Sequence, residues 1–299
     1  MRRLLIIGCG DVGARLIPLA RPRYRVYALT REGAQCAALR ARGVTPIVGD
    51  LDKPHTLSAL AGIAHDVVHL APPPASGATD KRTAHLIAVL GNQRGNQRKT
   101  KNMRGSLPQH FVYISTSGVY GDCGGGLVPE TRPARPQTER AQRRVDAERR
   151  LRAWGVRSGV AVSILRVPGI YADGRLPLAR LQRGTPALAD ADDSFVNHVH
   201  ADDLARLVMA ALARARPGRA YNAVDDVPQK MGDYFDLVAD RHGLPRPPRI
   251  ARSEAARVIP ENLLSFMSES RRLTNRRIKQ ELRFRLRYPS VHAGIPSLV

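Results

Sequence analysis

The chain has 299 residues, of which 43% are hydrophobic, and 48 Lys and Arg against 26 Asp and Glu give a formal net charge of +22. This composition predicts a folded protein with a sizeable core, and no apolar run approaches the roughly 18 residues that span a bilayer. So basic a chain attracts anions, but its arginines occur in almost every segment and form no stripe, so we do not expect a nucleic-acid partner.

Two further features bear on the cell compartment. The apolar run 4–7 after the basic start is too short for a signal peptide, so we expect a cytoplasmic protein with no membrane partner. The cysteines are Cys9, Cys36 and Cys123, and none of them forms a Cys-x-x-Cys pair. This set offers neither a disulfide framework nor a zinc site.

A strand and a glycine-rich turn open the chain. Residues 4–7 form a continuous apolar run, as in buried parallel strands, and they lead into the spacing Gly-x-Gly-x-x-Gly and then a helical pattern. The first glycine makes a tight turn, the second lets the backbone approach a pyrophosphate, and the third lets the helix pack closely on the strand. The helix N-terminus adds N–H groups for the phosphates, which predicts a dinucleotide site. The predicted cofactor-binding residues of this loop are Gly8, Gly10, Asp11, Val12 and Gly13.

The second predicted strand, 24–29, ends at Thr30 and Arg31. In this type of fold an acidic residue about 20 positions past the glycines holds the ribose 2′-hydroxyl of NAD. A hydroxyl and a guanidinium suit a 2′-phosphate, because arginine meets phosphate oxygens with two parallel donors. We therefore infer NADP over NAD, the alternative being that Glu32 folds back to the ribose.

Strands and helices continue to alternate after this point. A helix over 34–42 precedes a strand at 45–48, where Asp50 either reaches the adenine or caps the next segment. A fourth strand, 65–71, runs into three prolines, which cannot continue a central strand. The alternation predicts an α/β fold built on a Rossmann-type doubly wound parallel sheet. Cofactor contacts are predicted here at Asp50, Leu51, Ala71 and Pro72.

The segment 91–102 is polar and basic and has no apolar periodicity, which predicts a mobile surface loop. A nucleic-acid contact by this loop would lack base stacking, because the segment contains no aromatic residue.

A fifth predicted strand, 111–114, leads into Ser-Thr-Ser-Gly-Val-Tyr-Gly at 115–121. This stretch resembles the Ser-Ser-x-x-Val-Tyr-Gly segment of extended short-chain dehydrogenase/reductases, the NAD(P)-dependent epimerase/dehydratase family. The resemblance implies that Thr116 holds the substrate oxygen beside the nicotinamide and that Ser115 lies by the cofactor. The alternative is that these hydroxyls only stabilise a turn.

Other stretches extend the resemblance over essentially the whole chain. Residues 164–171 resemble the family's Leu-Arg-x-Pro-Gly-Ile-Tyr-Gly segment, in which Pro168 would lie near the nicotinamide. Residues 195–205 resemble its Asn-x-Ile-His-Val-Asp-Asp-Leu-Ala segment, and 221–223 and 275–289 resemble later ones. The implied organisation is a Rossmann domain and a smaller, discontinuous C-terminal α/β lobe on the substrate side. The Rossmann domain takes 1–170 with 195–225 returning to it, and the lobe takes 171–194 and 226–299.

The Tyr-x-x-x-Lys pair of the family is missing. In the family a glutamate follows this pair, and Glu148 matches it. This alignment puts Arg140 at the tyrosine position and Arg144 at the lysine position. No tyrosine lies between Tyr120 and Tyr171. Arginine is not deprotonated in proteins, so Arg140 is not a general base. Residues four apart share a helix face, so the two arginines either bind the cofactor or an anionic substrate, or are solvated.

Three further patterns complete the prediction. Tyr171 or Asp173 could supply a proton in place of the missing tyrosine, so the catalytic candidates are Thr116, Arg140, Arg144 and Tyr171. His198 and His200 have the spacing of metal ligands, but no third ligand is evident, so we predict a structural role and no metal. Apolar and basic residues alternate over 283–288, which predicts a half-buried strand with a solvated cationic face.

The sequence thus predicts an NADP-dependent oxidoreductase of the epimerase/dehydratase type. It would transfer a hydride between the nicotinamide and a carbonyl or hydroxyl carbon of a small molecule, anionic or sugar-like. The alternatives are a non-catalytic NADP-binding sensor or interaction protein and, from charge alone, a nucleic-acid-associated scaffold. The sequence leaves open whether the protein forms a homodimer.

Overall fold

The structure is a computed structural model that describes residues 1–91, 107–265 and 267–296. Of the predicted loop 91–102, only Gly91 is described, and it ends a helix, whereas 92–102 lies outside the described residues. The strands of the described part are β1 (Arg2–Ile7), β2 (Tyr24–Thr30), β3 (Thr45–Val48), β4 (Asp66–His69), β5 (His110–Thr116), β6 (Leu127–Val128), β7 (Ala161–Val167), β8 (Gly169–Tyr171), β9 (Ala187–Leu188), β10 (Phe195–Val196), β11 (His198–His200), β12 (Ala220–Asn222), β13 (Gln229–Lys230), β14 (Arg249–Ile250) and β15 (Arg272–Leu273).

The helices are α1 (Asp11–Ala20), α2 (Gln35–Ala41), α3 (Lys81–Gly91), α4 (Glu139–Ser158), α5 (Leu178–Gln182), α6 (Ala201–Arg214), α7 (Met231–Arg241), α8 (Arg252–Val258), α9 (Glu261–Leu264), α10 (Arg276–Gln280) and α11 (Val291–Gly294). Short 3-10 helices occupy Pro54–Leu60, Ser117–Tyr120 and Asp190–Asp192. Within the described ranges, no helix combines the length and apolar character needed to cross a membrane.

Seven strands form a central sheet in the order β12-β7-β5-β4-β1-β2-β3, and every neighbouring pair is parallel. The chain builds outward from β1 in one direction through β2 and β3, and in the other through β4 and β5. This reversal confirms the predicted Rossmann-type doubly wound sheet. Because all seven strands are parallel, their carboxyl ends meet at one edge, where such sheets bind their ligands.

Both faces of the sheet are buried. Leu4 and Ile6 of β1 face the apolar sides of α1 and α6, while Leu5 and Ile7 face α3 and α4. All four side chains are fully buried, which explains why β1 reads as a continuous apolar run and not as an alternating one.

The remaining strands pair two by two outside the central sheet: β8 with β11, β9 with β14, β10 with β13, and β6 with β15. A separate core gathers apolar residues of α5, α7 and α11 around the buried ring of Tyr171. Residues of α5 and α7 line a cavity together with Thr116 of β5 and Pro168 after β7, so these helices stand at the ligand-binding edge of the sheet.

The strand predicted over 283–288 does not form. Phe284 is buried and Arg283 and Arg285 are exposed, as the alternation predicts, but no neighbouring strand pairs with this segment among the described residues. The backbone N–H groups of Arg287 and Tyr288 instead donate to the buried Asp203 carboxylate, both at 2.8 Å. Hydrogen bonds to a side chain replace the hydrogen bonds between strands here. The alternation of apolar and basic residues in the sequence cannot reveal this replacement.

Candidate functional site

The three glycines of the first loop differ in what surrounds them. Gly8 has φ +89°, and a Cβ there would lie 2.6 Å from the backbone nitrogen of Ala71, so any side chain is excluded. A Cβ at Gly13 would lie 3.1 Å from the Gly8 carbonyl oxygen, so α1 packs closely on β1. A Cβ at Gly10 would meet nothing within 4 Å. The protein's own contacts therefore do not require glycine at Gly10, and the space beside it fits a pyrophosphate at the N-terminus of α1.

A cleft of about 240 Å³ begins at this loop and runs along the ends of β1, β2 and β3. At its far end the Thr30 hydroxyl, buried, donates to Oε1 of Gln35 at 3.0 Å, and Nε2 of Gln35 donates to the Glu32 carboxylate at 3.0 Å. Gln35 thus forms hydrogen bonds with the side chains of both Thr30 and Glu32. The exposed Arg31 also lines the cleft. The predicted residues that line it are Gly8, Gly10, Thr30, Arg31, Asp50, Leu51, Ala71 and Pro72.

A second guanidinium at this end of the cleft was missed by the sequence analysis. Arg82 of α3 lines the cleft and forms two parallel hydrogen bonds to Asp52, with Nε–Oδ1 2.8 Å and Nη2–Oδ2 2.6 Å. The hydrogen bonds from Arg82 lower the pKa of the Asp52 carboxyl, and the charge of Arg31 acts in the same direction. No local motif marks Arg82, because its position depends on how α3 packs beside β4.

Other predicted cofactor residues have structural partners. The Asp50 carboxylate accepts from the Asp52 backbone N–H at 2.9 Å, the capping role considered above, although Asp50 also lines the cleft. Asp11 accepts from Arg15 at 3.0 Å and lies 3.4 Å from Arg175. Val12 packs against the hydrophobic core.

A larger cavity, of about 380 Å³, lies at the carboxyl ends of β5 and β7. It brings together Thr116 and Pro168, which the resemblance places near the nicotinamide, and Arg140, which was predicted to bind the cofactor or an anionic substrate or to be solvated. Thr116 is the last residue of β5, and its Oγ1 accepts from the Gly118 backbone N–H at 3.3 Å. A Cβ at Gly118 would lie 3.9 Å from Cβ of Ala141, so the start of α4, which carries Arg140, stands beside the Thr116 turn.

Two predicted residues beside this cavity make contacts within the protein. The Ser115 hydroxyl donates to Oε1 of Glu148 at 2.6 Å, and Arg166 holds the same carboxylate with hydrogen bonds of 3.2 and 2.8 Å. Arg144 donates to the phenol oxygen of Tyr113. Neither Ser115 nor Arg144 lines the cavity.

Tyr171 also lies outside the cavity. Its hydroxyl donates to the Ser290 carbonyl oxygen at 2.9 Å, and burial raises the pKa of the phenol strongly. The hydroxyl is therefore directed toward the start of α11 and away from the Thr116 turn.

An ion pair on the cavity wall was not predicted from the sequence. Glu269 is 8% exposed, and its Oε2 accepts from Nη1 of Arg271 at 2.7 Å. The same Nη1 donates to the Gly121 carbonyl oxygen at 2.8 Å, which ties the pair to the loop after β5. Within the described part of the chain, Oε1 of Glu269 is buried and has no hydrogen-bond partner.

His198 lines the cavity, whereas His200 does not. The His198 ring packs on Tyr234 at 4.2 Å between centroids, and burial lowers the pKa of His198 to about 4, so the imidazole is neutral at pH 7. Nδ1 of His200 accepts from the Asp202 backbone N–H at 3.2 Å and caps α6. Over the described residues, no three His, Cys, Asp or Glu side chains converge in a way that could hold a metal ion.

A doubly wound parallel sheet with a glycine-rich cleft and an adjoining cavity defines a dinucleotide-binding protein. The model of the NAD dependent epimerase/dehydratase family matches residues 4–223, and the chain belongs to that family. This finding confirms the resemblance inferred from the Val-Tyr-Gly segment and the later segments up to residue 223, whereas the segment 275–289 lies outside the matched residues.

Similarity to individual proteins is more distant. A stretch of 141 residues is 28% identical to dTDP-glucose 4,6-dehydratase from Streptomyces griseus, and it covers 43% of this chain and 43% of that enzyme. A conserved protein of unknown function from Silicibacter pomeroyi superposes with a TM-score of 0.78 at 28% identity, covering 99% of this chain and 97% of that one. The dTDP-glucose 4,6-dehydratase of Streptomyces venezuelae, solved with NAD, gives 0.76 at 21% identity, covering 98% and 94%.

Proposed function

We propose that this protein is an NADP-dependent oxidoreductase that interconverts a carbonyl and a hydroxyl group on a small, anionic or sugar-like substrate. The observation that carries the proposal is that Thr116 and Pro168 line one cavity at the sheet edge that also holds the glycine-rich cleft. In this proposal, residues 1–170 with 195–225 bind the dinucleotide, and 171–194 with 226–299 bind the substrate.

The cleft supplies the dinucleotide contacts. Gly10 and the N-terminus of α1 receive the pyrophosphate, because backbone N–H groups and the helix dipole favour negative charge there. Arg31, exposed directly after β2, lines the cleft where an adenosine 2′-phosphate would lie, and its guanidinium can meet phosphate oxygens with two parallel donors. Arg82 is paired with Asp52, and the cleft also holds the Glu32 and Asp50 carboxylates, so the support for NADP over NAD comes from Arg31.

The cavity orients the substrate. When bound, the nicotinamide supplies or accepts the hydride. The Thr116 hydroxyl, half-buried at the end of β5, donates a hydrogen bond to the carbonyl oxygen and fixes its direction. Arg140 stays protonated and attracts negative charge without exchanging a proton. The His198 imidazole, which is neutral at pH 7 because burial lowers its pKa to about 4, lines the same cavity and can accept a proton.

Calorimetric titration with NADPH and NADH tests the cofactor. We expect NADPH to bind more tightly, and Arg31→Ala to weaken NADPH by about 10- to 100-fold while NADH is little changed, as for loss of a charge-assisted hydrogen bond. Arg40→Ala is the matched control, since Arg40 is exposed on the neighbouring α2 and does not line the cleft. Equal binding of both nucleotides would remove the preference, and binding of neither would overturn the proposal.

Turnover is tested by following NADPH oxidation with a series of aldehydes and ketones. Thr116→Val keeps the side-chain shape and removes the hydroxyl, so we expect it to lower kcat with little change in NADPH affinity. NADPH binding without any oxidation across the series would instead support the non-catalytic sensor.

A further inference from the structure

The cavity around Thr116 has a wall that is largely apolar. Side chains from β10, α7 and the segment after α9 form this part. They are Phe195, Met231, Tyr234, Phe235 and Met267. Methionine and aromatic side chains adapt to flat apolar groups and stack on rings. This wall suits a ring or a branched hydrocarbon.

The polar part of the cavity is concentrated near the Thr116 turn. Arg140 stands there because α4 begins beside Gly118. Arg271 is held close by its bond to the Gly121 carbonyl, and both of its described side-chain hydrogen bonds come from Nη1. The fork geometry of a guanidinium presents further donors that match a carboxylate.

The charges of the cavity do not balance. Among the lining residues that the structure describes, the cations are Arg140, Arg180 and Arg271, and the single anion is Glu269. The Arg180 guanidinium already has contacts within the protein. Its Nη2 donates to the Pro186 carbonyl oxygen at 2.6 Å, and its carbon Cζ lies 4.6 Å from the Phe235 ring centroid. The positive charge of Arg140 and Arg271 therefore lies next to the loop 116–121, whereas the apolar wall is formed by β10, α7 and the segment after α9.

We propose that the substrate is a small carbonyl acid, with one carboxylate next to the reacting carbonyl and an apolar body about the size of a ring. The Thr116 hydroxyl donates to the carbonyl oxygen, and Arg140 and Arg271 bind the carboxylate. The apolar wall, which includes Met231 and Tyr234, packs against the apolar body. This inference rests on the proposed function and narrows its substrate class.

The same features disfavour a nucleotide sugar in this cavity. Each sugar hydroxyl buried against the apolar wall without a partner would cost about 1–3 kcal/mol. Glu269 also repels a substrate anion, and it opposes the two charges of a diphosphate more strongly than the single charge of a carboxylate. One carboxylate and an apolar body satisfy the cavity, whereas a diphosphate and a hexose do not.

Calorimetry on the NADP⁺-saturated protein tests this assignment with four probes. Benzoylformate carries both the carboxylate and the ring, its methyl ester lacks the charge, pyruvate lacks the ring, and UDP-glucose represents the nucleotide sugars. We expect benzoylformate to bind at least tenfold more tightly than each of the other three. Tighter binding of UDP-glucose, or no binding of benzoylformate, would overturn the inference.

Variants assign the carboxylate contact. Arg140→Gln should abolish the preference for benzoylformate over its methyl ester, Arg140→Lys should keep part of it, and Arg149→Gln should leave it unchanged. Arg149 is the matched control because it is exposed on the same α4 helix and does not line the cavity. A preference that survives Arg140→Gln in a folded protein would contradict the assignment. NADPH affinity, measured alongside, separates failure of the substrate class from failure of the proposed function.

Discussion

The Arg144 guanidinium donates to the phenol oxygen of Tyr113, with 3.0 Å between Nη1 and Oη, and to the Ile114 carbonyl oxygen at 2.8 Å. Its carbon Cζ lies 5.6 Å from the Tyr113 ring centroid. Arg144 therefore joins α4 to β5, whereas Arg140, one turn earlier, lines the cavity beside Thr116. Two residues that share a helix face in the sequence serve different neighbours in the fold.

Arg144→Gln is expected to lower the free energy of unfolding by about 1–3 kcal/mol, because the change removes hydrogen bonds from a charged donor. Burial raises the pKa of Tyr113 to about 12, so the phenol is neutral at pH 7 and its contact with Arg144 is a hydrogen bond and not an ion pair. Urea denaturation measures the change. Arg149→Gln, on the exposed side of the same helix, should stay within about 0.5 kcal/mol of wild type. Equal stability of the two variants would show that the contact with Tyr113 contributes nothing.

Gly10→Val is expected to abolish NADPH binding and leave the folded protein intact. A Cβ at Gly10 meets no neighbouring protein atom within 4 Å, and Gly10 lines the cleft in which we propose that the pyrophosphate binds. Calorimetry gives the affinity, and thermal denaturation gives the stability. Gly8→Ala is the contrasting variant, since its Cβ would meet the Ala71 backbone at 2.6 Å and should lower stability as well. Retained NADPH binding by Gly10→Val would place the pyrophosphate elsewhere.

Tyr171→Phe is expected to cost about 1–3 kcal/mol of stability, because the Ser290 carbonyl oxygen loses its buried donor. The variant should bind NADPH as wild type does, and its turnover should be unchanged, since the hydroxyl lies outside the cavity. Urea denaturation and steady-state kinetics distinguish the two effects. A loss of kcat without a loss of stability would restore Tyr171 as a proton donor.

Asp225 makes stability depend on pH. Burial raises the pKa of this carboxyl to about 8, and Asp226 acts in the same direction, whereas the unfolded value is about 3.9. The folded state holds the proton of Asp225 more tightly than the unfolded state does. The protonated carboxyl therefore contributes its full share of the free energy of unfolding below about pH 4. This share falls by about 1.4 kcal/mol per pH unit as the pH rises to about 8. Asp225→Asn should remove this loss, as unfolding free energies measured from pH 4 to pH 9 will show. Unfolding free energies that change with pH in parallel for the wild type and Asp225→Asn would refute this prediction.

The sequence analysis predicted the parts of the site that lie within one local segment. The strand, the glycine spacing and the helix around Gly10 follow from periodicity and from the backbone freedom of glycine. Thr116 and Pro168 were found through motifs that directly follow β5 and β7, and parallel strands bring such ends to one edge of a sheet.

The sequence analysis could not find the residues that reach the site through long-range packing. Arg82 enters the cleft from α3, and Glu269 and Arg271 enter the cavity from the C-terminal elements. No spacing rule links these positions to Gly10 or to Thr116. His198 was predicted to be structural, and it does pack on Tyr234, but only the fold shows that its ring also lines the cavity.

The pairing of β6 with β15 joins distant parts of the chain. Nε of Arg272 donates to the Gly125 carbonyl oxygen at 2.6 Å across 147 positions of sequence. Contacts at such separation form slowly, because the intervening chain must be ordered before they are made. A ribosome that has made only the glycine loop and the first five sheet strands has therefore not yet built the wall that carries Glu269 and Arg271. The cavity beside Thr116 is therefore completed later in synthesis than the glycine-rich cleft.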